Sequence, residues 1–323
     1  MGNIMILTKW RHAQGLVIGN DHVEAKMPCQ DNVYYVGKDG IHVLAVSDGA
    51  GSKKYSQYGS EIAVKSVCDY LIDEFDTLYL SCETYGKSKD EIEESRKLVK
   101  ESIFNHVKKQ IMEKAKDLEV EVDELACTLL FVAKKGEKVM VGHIGDGVIA
   151  GLFNSGSDES LRVISHPENG AQINITFFMT DPDGIDHFRL STERMTNLTG
   201  IMLMSDGPEE VLYHPINGMH INCLKLFHNF NNYTCEEYDK ILNKFLHNQV
   251  GKYSYDDLSI NILYLSTIDT NEEKLEVIKD FVIDIRNLAQ IEDVSAYAKH
   301  LDGTTQYKEK DDLSSYWGVK WQK

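Results

Sequence analysis

Short apolar runs that end in Gly-Asp or Asp-Gly turns punctuate the chain. Residues 41–47 (IHVLAVS) form one and stop at Asp48-Gly49; 126–133 (ACTLLFVA), 138–144 (KVMVGHI) and 147–153 (GVIAGLF) repeat the pattern. Each has strand length and is rich in Val, Ile, Leu and Phe, so each predicts a largely buried β-strand. Further strands are expected at 160–164, 187–190, 199–204 and 258–265. Helical spacing takes over in 57–75, where Ile62, Ala63, Ser66, Val67, Tyr70 and Leu71 share a face. It returns in the highly charged 91–117, through Ile103, Val107 and Ile111, and in 234–249, through Tyr238, Ile241, Leu242, Phe245 and Leu246. Strands and helices that come in blocks, without strict alternation, predict an α+β fold with largely antiparallel sheet.

With 323 residues, five prolines and no Gly/Ser- or Pro-rich linker, the chain reads as one main unit with an appendage. The main domain is placed at 1–266. Residues 267–323 form a second segment, helix-patterned and acidic over 272–301 and tail-like over 302–323. A second Asp-Asp-Leu-Ser at Asp311–Ser314 has no strand-like run after it and is set aside. The net charge of −17 repels nucleic-acid phosphates and anionic lipid, so neither is an expected partner. Six dispersed cysteines without a CxxC pair read as reduced thiols. No apolar run reaches the length of a membrane span, and Lys9, Trp10 and Arg11 fall where a signal peptide needs an apolar core. A cytoplasmic location is expected.

Four aspartates share a setting. Asp48, Asp146 and Asp206 each follow an apolar strand at a turn, and Asp256 immediately precedes one. A strand-end Asp is by itself an ordinary turn residue. If the strands pair in one region, however, the carboxylates converge at a rim. Two carboxylates about 4 Å apart repel by roughly 4 kcal/mol at an effective dielectric near 20. Three such pairs approach the whole stability of a domain. Convergence therefore demands cations, and an all-carboxylate donor set selects hard ones, Mg²⁺ or Mn²⁺.

Six stretches together resemble the metal-dependent type 2C protein serine/threonine phosphatases, in particular their bacterial branch. They are Gly19–Asp31 (GNDHVEAKMPCQD), Ser47–Gly59 (SDGAGSKKYSQYG), Ala126–Leu130 (ACTLL), His143–Val148 (HIGDGV), Met204–Val211 (MSDGPEEV) and Asp256–Ile260 (DDLSI), in the family's order. The resemblance implies a central β-sandwich of two mainly antiparallel sheets, flanked by helices on both faces, with the site at one end. It implies Asp48 bridging two Mn²⁺ or Mg²⁺ ions, Gly49 offering its carbonyl, and Asp206 and Asp256 completing the first ion's shell. Asp31 would act near the second ion through water, and Asp146 would hold a weaker third. The implied reaction is hydrolysis of phosphoserine or phosphothreonine by cation-activated water, opposing a Ser/Thr kinase.

Three positions depart from the family's pattern. Ala50 stands where eukaryotic members carry a histidine assigned as general acid. Lys26 occupies the place of a phosphate-gripping arginine and lacks its bidentate fork. Asp257 replaces an asparagine. His22 fits the branch pattern, either against substrate or in a structural role. Two rival readings remain at this stage: a phosphoprotein-binding pseudophosphatase, and another two-metal phosphoester hydrolase such as a phosphodiesterase.

Overall fold

Alternation along the strands decides the layers. In strand β3 (Ile41–Ser47), Val43 and Ala45 face one apolar cluster, while Leu44 and Val46 face another on the opposite side of the sheet. Both faces are buried, which is why the run reads as continuously apolar. The computed structural model describes residues 7–156, 158–168 and 176–268.

Among these, the elements follow in the order β1 (Leu7–Val17), α1 (Asn20–Ala25), β2 (Asn32–Lys38), β3, α2 (Ser56–Cys82), α3 (Lys89–Asp117), β4 (Leu129–Lys135), β5 (Lys138–Ile144), β6 (Val148–Asn154) and β7 (Glu159–Ser165). There follow α4 (Gly184–His187), β8 (Arg189–Arg194), β9 (Leu198–Met204), α5 (Asp206–Leu212), β10 (Tyr213–His214), β11 (Gly218–Met219), α6 (Ile221–Asn229), α7 (Cys235–Asn248) and β12 (Leu258–Ile268). One sheet has the order β1-β12-β9-β6-β7 and the other β2-β3-β4-β5-β8. All pairings within both are antiparallel. The expected α+β sandwich is therefore the observed one.

Three apolar layers hold it. Leu44, Val46, Leu130, Val132, Ile201 and Leu203 fill the space between the sheets. Helices α2 and α3 cover the outer face of the second sheet through Val67, Leu71, Phe75, Ile103, Val107 and Ile111. Helices α6 and α7 cover the outer face of the first through Leu226, Phe227, Tyr238, Leu242 and Phe245. Helix α2 runs on to Cys82, beyond the expected 57–75, because Leu78, Tyr79 and Cys82 continue its buried face. Helix α3 starts at a capping box in which Ser88 and Glu91 satisfy each other's backbone N–H groups.

Strands β1 and β2 were not expected. Strand β1 carries Lys9, Trp10, Arg11 and His12, a sequence with no apolar run, yet it pairs with β12 along its whole length. Its polar groups find partners. Arg11 donates to the carbonyl of Phe230 (3.1 Å) and lies over that ring, and His12 stacks on Tyr35 of β2 (4.0 Å between centroids). Helix α6 was also missed, and β8 lies somewhat later than the expected 187–190. Strand β12 continues to Ile268, past the expected boundary at 266. The helix expected at 272–301 and the tail lie outside the described residues.

One buried polar side chain ties the sheets. Asn261 of β12 donates through Nδ2 to the carbonyls of Tyr34 (2.9 Å) and Ala45 (3.0 Å), which face each other across β2 and β3. Its Oδ1 meets His12 Nε2 at 2.8 Å. A leucine of similar size would leave these groups without their partner inside the protein. Asn261→Leu is expected to lower stability by roughly 2–4 kcal/mol, read as a lower urea midpoint at unchanged slope.

Candidate metal centre

Backbone pairing delivers the acids to one end of the sandwich. Asp48 continues β3 by one residue: its N–H donates to Thr128 Oγ1 (2.9 Å), and its carbonyl accepts the Thr128 N–H (2.8 Å). Gly49 then bridges to Cys127. A Cβ there would lie 2.8 Å from the Gln30 carbonyl oxygen, so only glycine fits. Asp146 sits in the turn from β5 to β6, and Asp206 opens α5 just after β9. Gly207 follows it with no room for a side chain, the Asp257 carbonyl being 2.2 Å from where a Cβ would stand.

Asp48, Asp146 and Asp206 each bring a carboxylate oxygen within 4.8 Å of the other two, all half-buried. Asp31, immediately before β2, is 1% exposed. Its Oδ2 accepts the Ser205 hydroxyl (2.6 Å), and that hydroxyl in turn accepts from Ser259 Oγ (2.9 Å). Asp31 Oδ1 and Asp146 Oδ1 are buried with no hydrogen-bond partner among the described residues. Thr176 donates to the other oxygen of Asp146.

The close trio differs from the expected grouping of Asp48 with Asp206 and Asp256. Asp256 stands outside the trio, at the exposed rim, and its Oδ1 turns back to the Asp257 N–H (2.8 Å). It still acts on the trio through its field, being among the charges that hold the Asp48, Asp146 and Asp206 carboxyls protonated to higher pH. Lys26 is exposed, at the C-terminal end of α1, in the left-handed conformation (φ 56°). His22 is buried, and its Nδ1 is committed to Asp257 Oδ2 (2.8 Å). Ala50 is 7% exposed, its N–H bonded to the Ala126 carbonyl.

Sequence reasoning missed four contributors. Thr128, Ser205 and Thr176 orient Asp48, Asp31 and Asp146, but a lone hydroxyl residue carries no periodic or spacing signal. The fourth is Glu209 on α5, whose carboxyl is pushed up to about 8 by burial, then by Glu210 and Asp146; it lay unnoticed inside the MSDGPEEV stretch.

Electrostatics tests whether this donor set suits cations. Asp48 and Asp206 are both held well above the ordinary carboxylate range, first by burial and then by the neighbouring aspartates. Asp31 is pushed up from 3.8 to about 7, mainly by burial. Three oxygens at this separation repel by roughly 3–4 kcal/mol per pair. The donors are all carboxylate, and two buried oxygens lack donors among the described residues. The residues fit hard divalent cations.

The comparisons agree with this architecture. The profile of the family described as Protein phosphatase 2C matches residues 18–247. The chain belongs to the protein phosphatase 2C family. It is 24% identical over 188 residues to serine/threonine-protein phosphatase 3 of Escherichia coli strain K12, covering 57% of this chain and 68% of that protein. Among solved structures, the S. agalactiae serine/threonine phosphatase is 15% identical with a TM-score of 0.53, covering 80% of this chain and 100% of the other. The serine-threonine phosphatase 2C from Toxoplasma gondii is 11% identical with a TM-score of 0.54, covering 82% and 100%. At these identities the solved structures share the fold. No helix among the described residues is long and apolar enough to cross a membrane.

The raised carboxyls make a pH prediction. A folded-state value above the unfolded one contributes stability that is full below the unfolded value and lost as pH rises through the folded one. For Asp31 that window runs from 3.8 to about 7, worth on the order of 4 kcal/mol. In EDTA the melting temperature should therefore fall from pH 5 to pH 8. Mn²⁺ should raise it more at pH 8 than at pH 5, and Asp31→Asn should flatten the fall in EDTA. Thermal scans across pH, with and without Mn²⁺, check all three.

Proposed function

We propose that the chain is a divalent-cation-dependent phosphatase acting on phosphoserine and phosphothreonine in proteins, in opposition to a Ser/Thr kinase. The observation that carries this reading is the meeting of Asp48, Asp146 and Asp206 carboxylates within 4.8 Å. Membership of the family and the likeness to a bacterial serine/threonine phosphatase support it. Mn²⁺ or Mg²⁺, two per site with a weaker third, would be held by Asp48, Asp146 and Asp206. The Gly49 carbonyl, Asp256 at the rim and Asp31 through water would complete the set. When bound, such cations supply an acidified water and offset charge on the phosphoryl oxygens.

The protein's own residues do the rest. The Thr128 hydroxyl and backbone fix the Asp48 main chain, which sets where its carboxylate starts. Lys26 projects from an exposed turn, where its ammonium can neutralise part of an incoming phosphate dianion. The Ala50 position is backbone-bonded and nearly closed to solvent. It offers no proton to the leaving alkoxide, so that proton comes from solvent or another group. All six cysteines are free thiols, which suits the reducing cytoplasm we assign to the protein.

Turnover of p-nitrophenyl phosphate and a phosphothreonine peptide, with Mn²⁺ and with EDTA, tests the assignment. Activity should require the cation, and Asp48→Asn or Asp206→Asn should each cost at least about 100-fold in kcat, the scale of losing one electrostatic stabiliser. A smaller loss would count against the assignment. Mn²⁺ binding with no turnover would instead identify a pseudophosphatase, and hydrolysis of diesters alone a phosphodiesterase.

A further inference from the structure

Asp257 lies beside the acidic rim but outside the close carboxylate trio, and is 1% exposed. Its two oxygens are fully employed. Oδ1 accepts the Gly19 N–H (2.7 Å); Oδ2 accepts the Gln30 N–H (2.5 Å) and His22 Nδ1 (2.8 Å). Gly19 and Gln30 are the two ends of the segment that contains α1 and Lys26, so one carboxylate closes its base. Every one of these contacts is a donor. An asparagine has only one acceptor oxygen and would turn its NH₂ toward a donor, so only a carboxylate satisfies both sides.

The contacts reach further. Gln30 precedes Asp31, and its Nε2 donates to the Lys53 carbonyl (2.9 Å) in the loop after Asp48. Its own carbonyl is the atom that leaves Gly49 no space for a side chain. The Asp257 carbonyl does the same to Gly207, next to Asp206. Asp256 is its direct neighbour in the chain. Through these contacts Asp257 braces the backbone beside Asp31, Asp48, Asp206 and Asp256, which belong to four different parts of the sequence.

We propose that Asp257, with His22 as its side-chain partner, is a positioning residue that locks the 19–30 segment onto the strand end carrying Asp256 and thereby sets the spacing of the cation-holding carboxylates. It rests on the metal-dependent reading of the site. Supporting residues of this kind, when removed, typically cost 10–100-fold in metal affinity.

The test compares Asp257→Asn, His22→Leu and His22→Asn with the unmodified protein. Mn²⁺ dissociation constants are measured by calorimetry without substrate, kcat and KM with p-nitrophenyl phosphate, and melting temperature in EDTA. Asp257→Asn and His22→Leu should weaken Mn²⁺ binding about 10–100-fold and lower kcat more than they raise KM. His22→Asn, which keeps a donor near the place of Nδ1, should recover most of the loss seen in His22→Leu. Unchanged Mn²⁺ affinity in Asp257→Asn, or His22→Asn failing as fully as His22→Leu, would overturn the proposal. Should Asp257→Asn not fold, the two His22 variants, which leave the carboxylate in place, decide the matter. If the unmodified protein binds Mn²⁺ but turns over no ester, the phosphatase reading fails, while the affinity comparison still judges the clamp.

Discussion

Carboxylates brought together at one end of the sandwich are the constraint around which this molecule is arranged. Asp48, Asp146 and Asp206 lie within 4.8 Å of one another, with Asp31 buried nearby and Asp256 adding its field. Left ionised and uncompensated, such a group repels itself by an energy on the order of a domain's entire stability. The acids persist because each is fixed by a strand end: β3, β5 and β9 all terminate at the same rim. Slipping any of these strands by one residue would turn its apolar side chains to the wrong layer. The core thus holds the acids where they would not stay by themselves.

The opposite half of the sandwich shows a different solution to buried polarity. His12, Tyr35, His42, Asn261 and Lys134 lie between the sheets near Trp10, but they are paired or stacked. Tyr35 OH meets His42 Nδ1 at 2.8 Å, and the Lys134 ammonium lies 3.8 Å from the Trp10 ring centroid. Burial lowers His12 and His42 to about 4 and Lys134 to about 8. That half is closed by mutual satisfaction. The acidic rim instead retains the Asp31 and Asp146 Oδ1 atoms with no donor among the described residues, beside carboxylates that repel one another, and the two together separate this rim from the paired network.

What the sequence disclosed follows from which signals are local. Strands β3, β4, β5, β6 and β9 are buried on both faces, so their apolar runs could be read directly. Strands β1 and β2 could not, because their polar side chains are satisfied by partners outside the strands, such as Arg11 at Phe230, His12 at Asn261 and Asn32 at Ser60. Each acid was visible at its turn, and the motifs in order disclosed the family. Their grouping was not visible, since Asp256 is set apart by a hydrogen bond to its neighbour's N–H and by its place on an exposed loop. Nor was the role of His22 legible before its partner Asp257, over two hundred residues away, was in place.

The left-handed turn at Lys26 links these themes. A side-chain-bearing residue in that conformation costs about 1 kcal/mol and persists only where its surroundings dictate it. Here the Lys26 N–H bonds to the Val23 carbonyl (3.2 Å), and the Met27 N–H to that of His22 (2.9 Å). The turn ends α1 and sends the chain back, so that Gln30 reaches the carboxylate that already holds Gly19. The same turn leaves Lys26 exposed on a chain whose net charge is −17. A phosphate dianion approaching such a surface meets repulsion over most of it. Attraction is confined to where a fixed cation or a metal-filled acidic pocket reverses the local sign. Strain at Lys26 and the closed base of its segment are therefore one arrangement, in which the turn that returns Gln30 to Asp257 also leaves a cation exposed on an acidic chain.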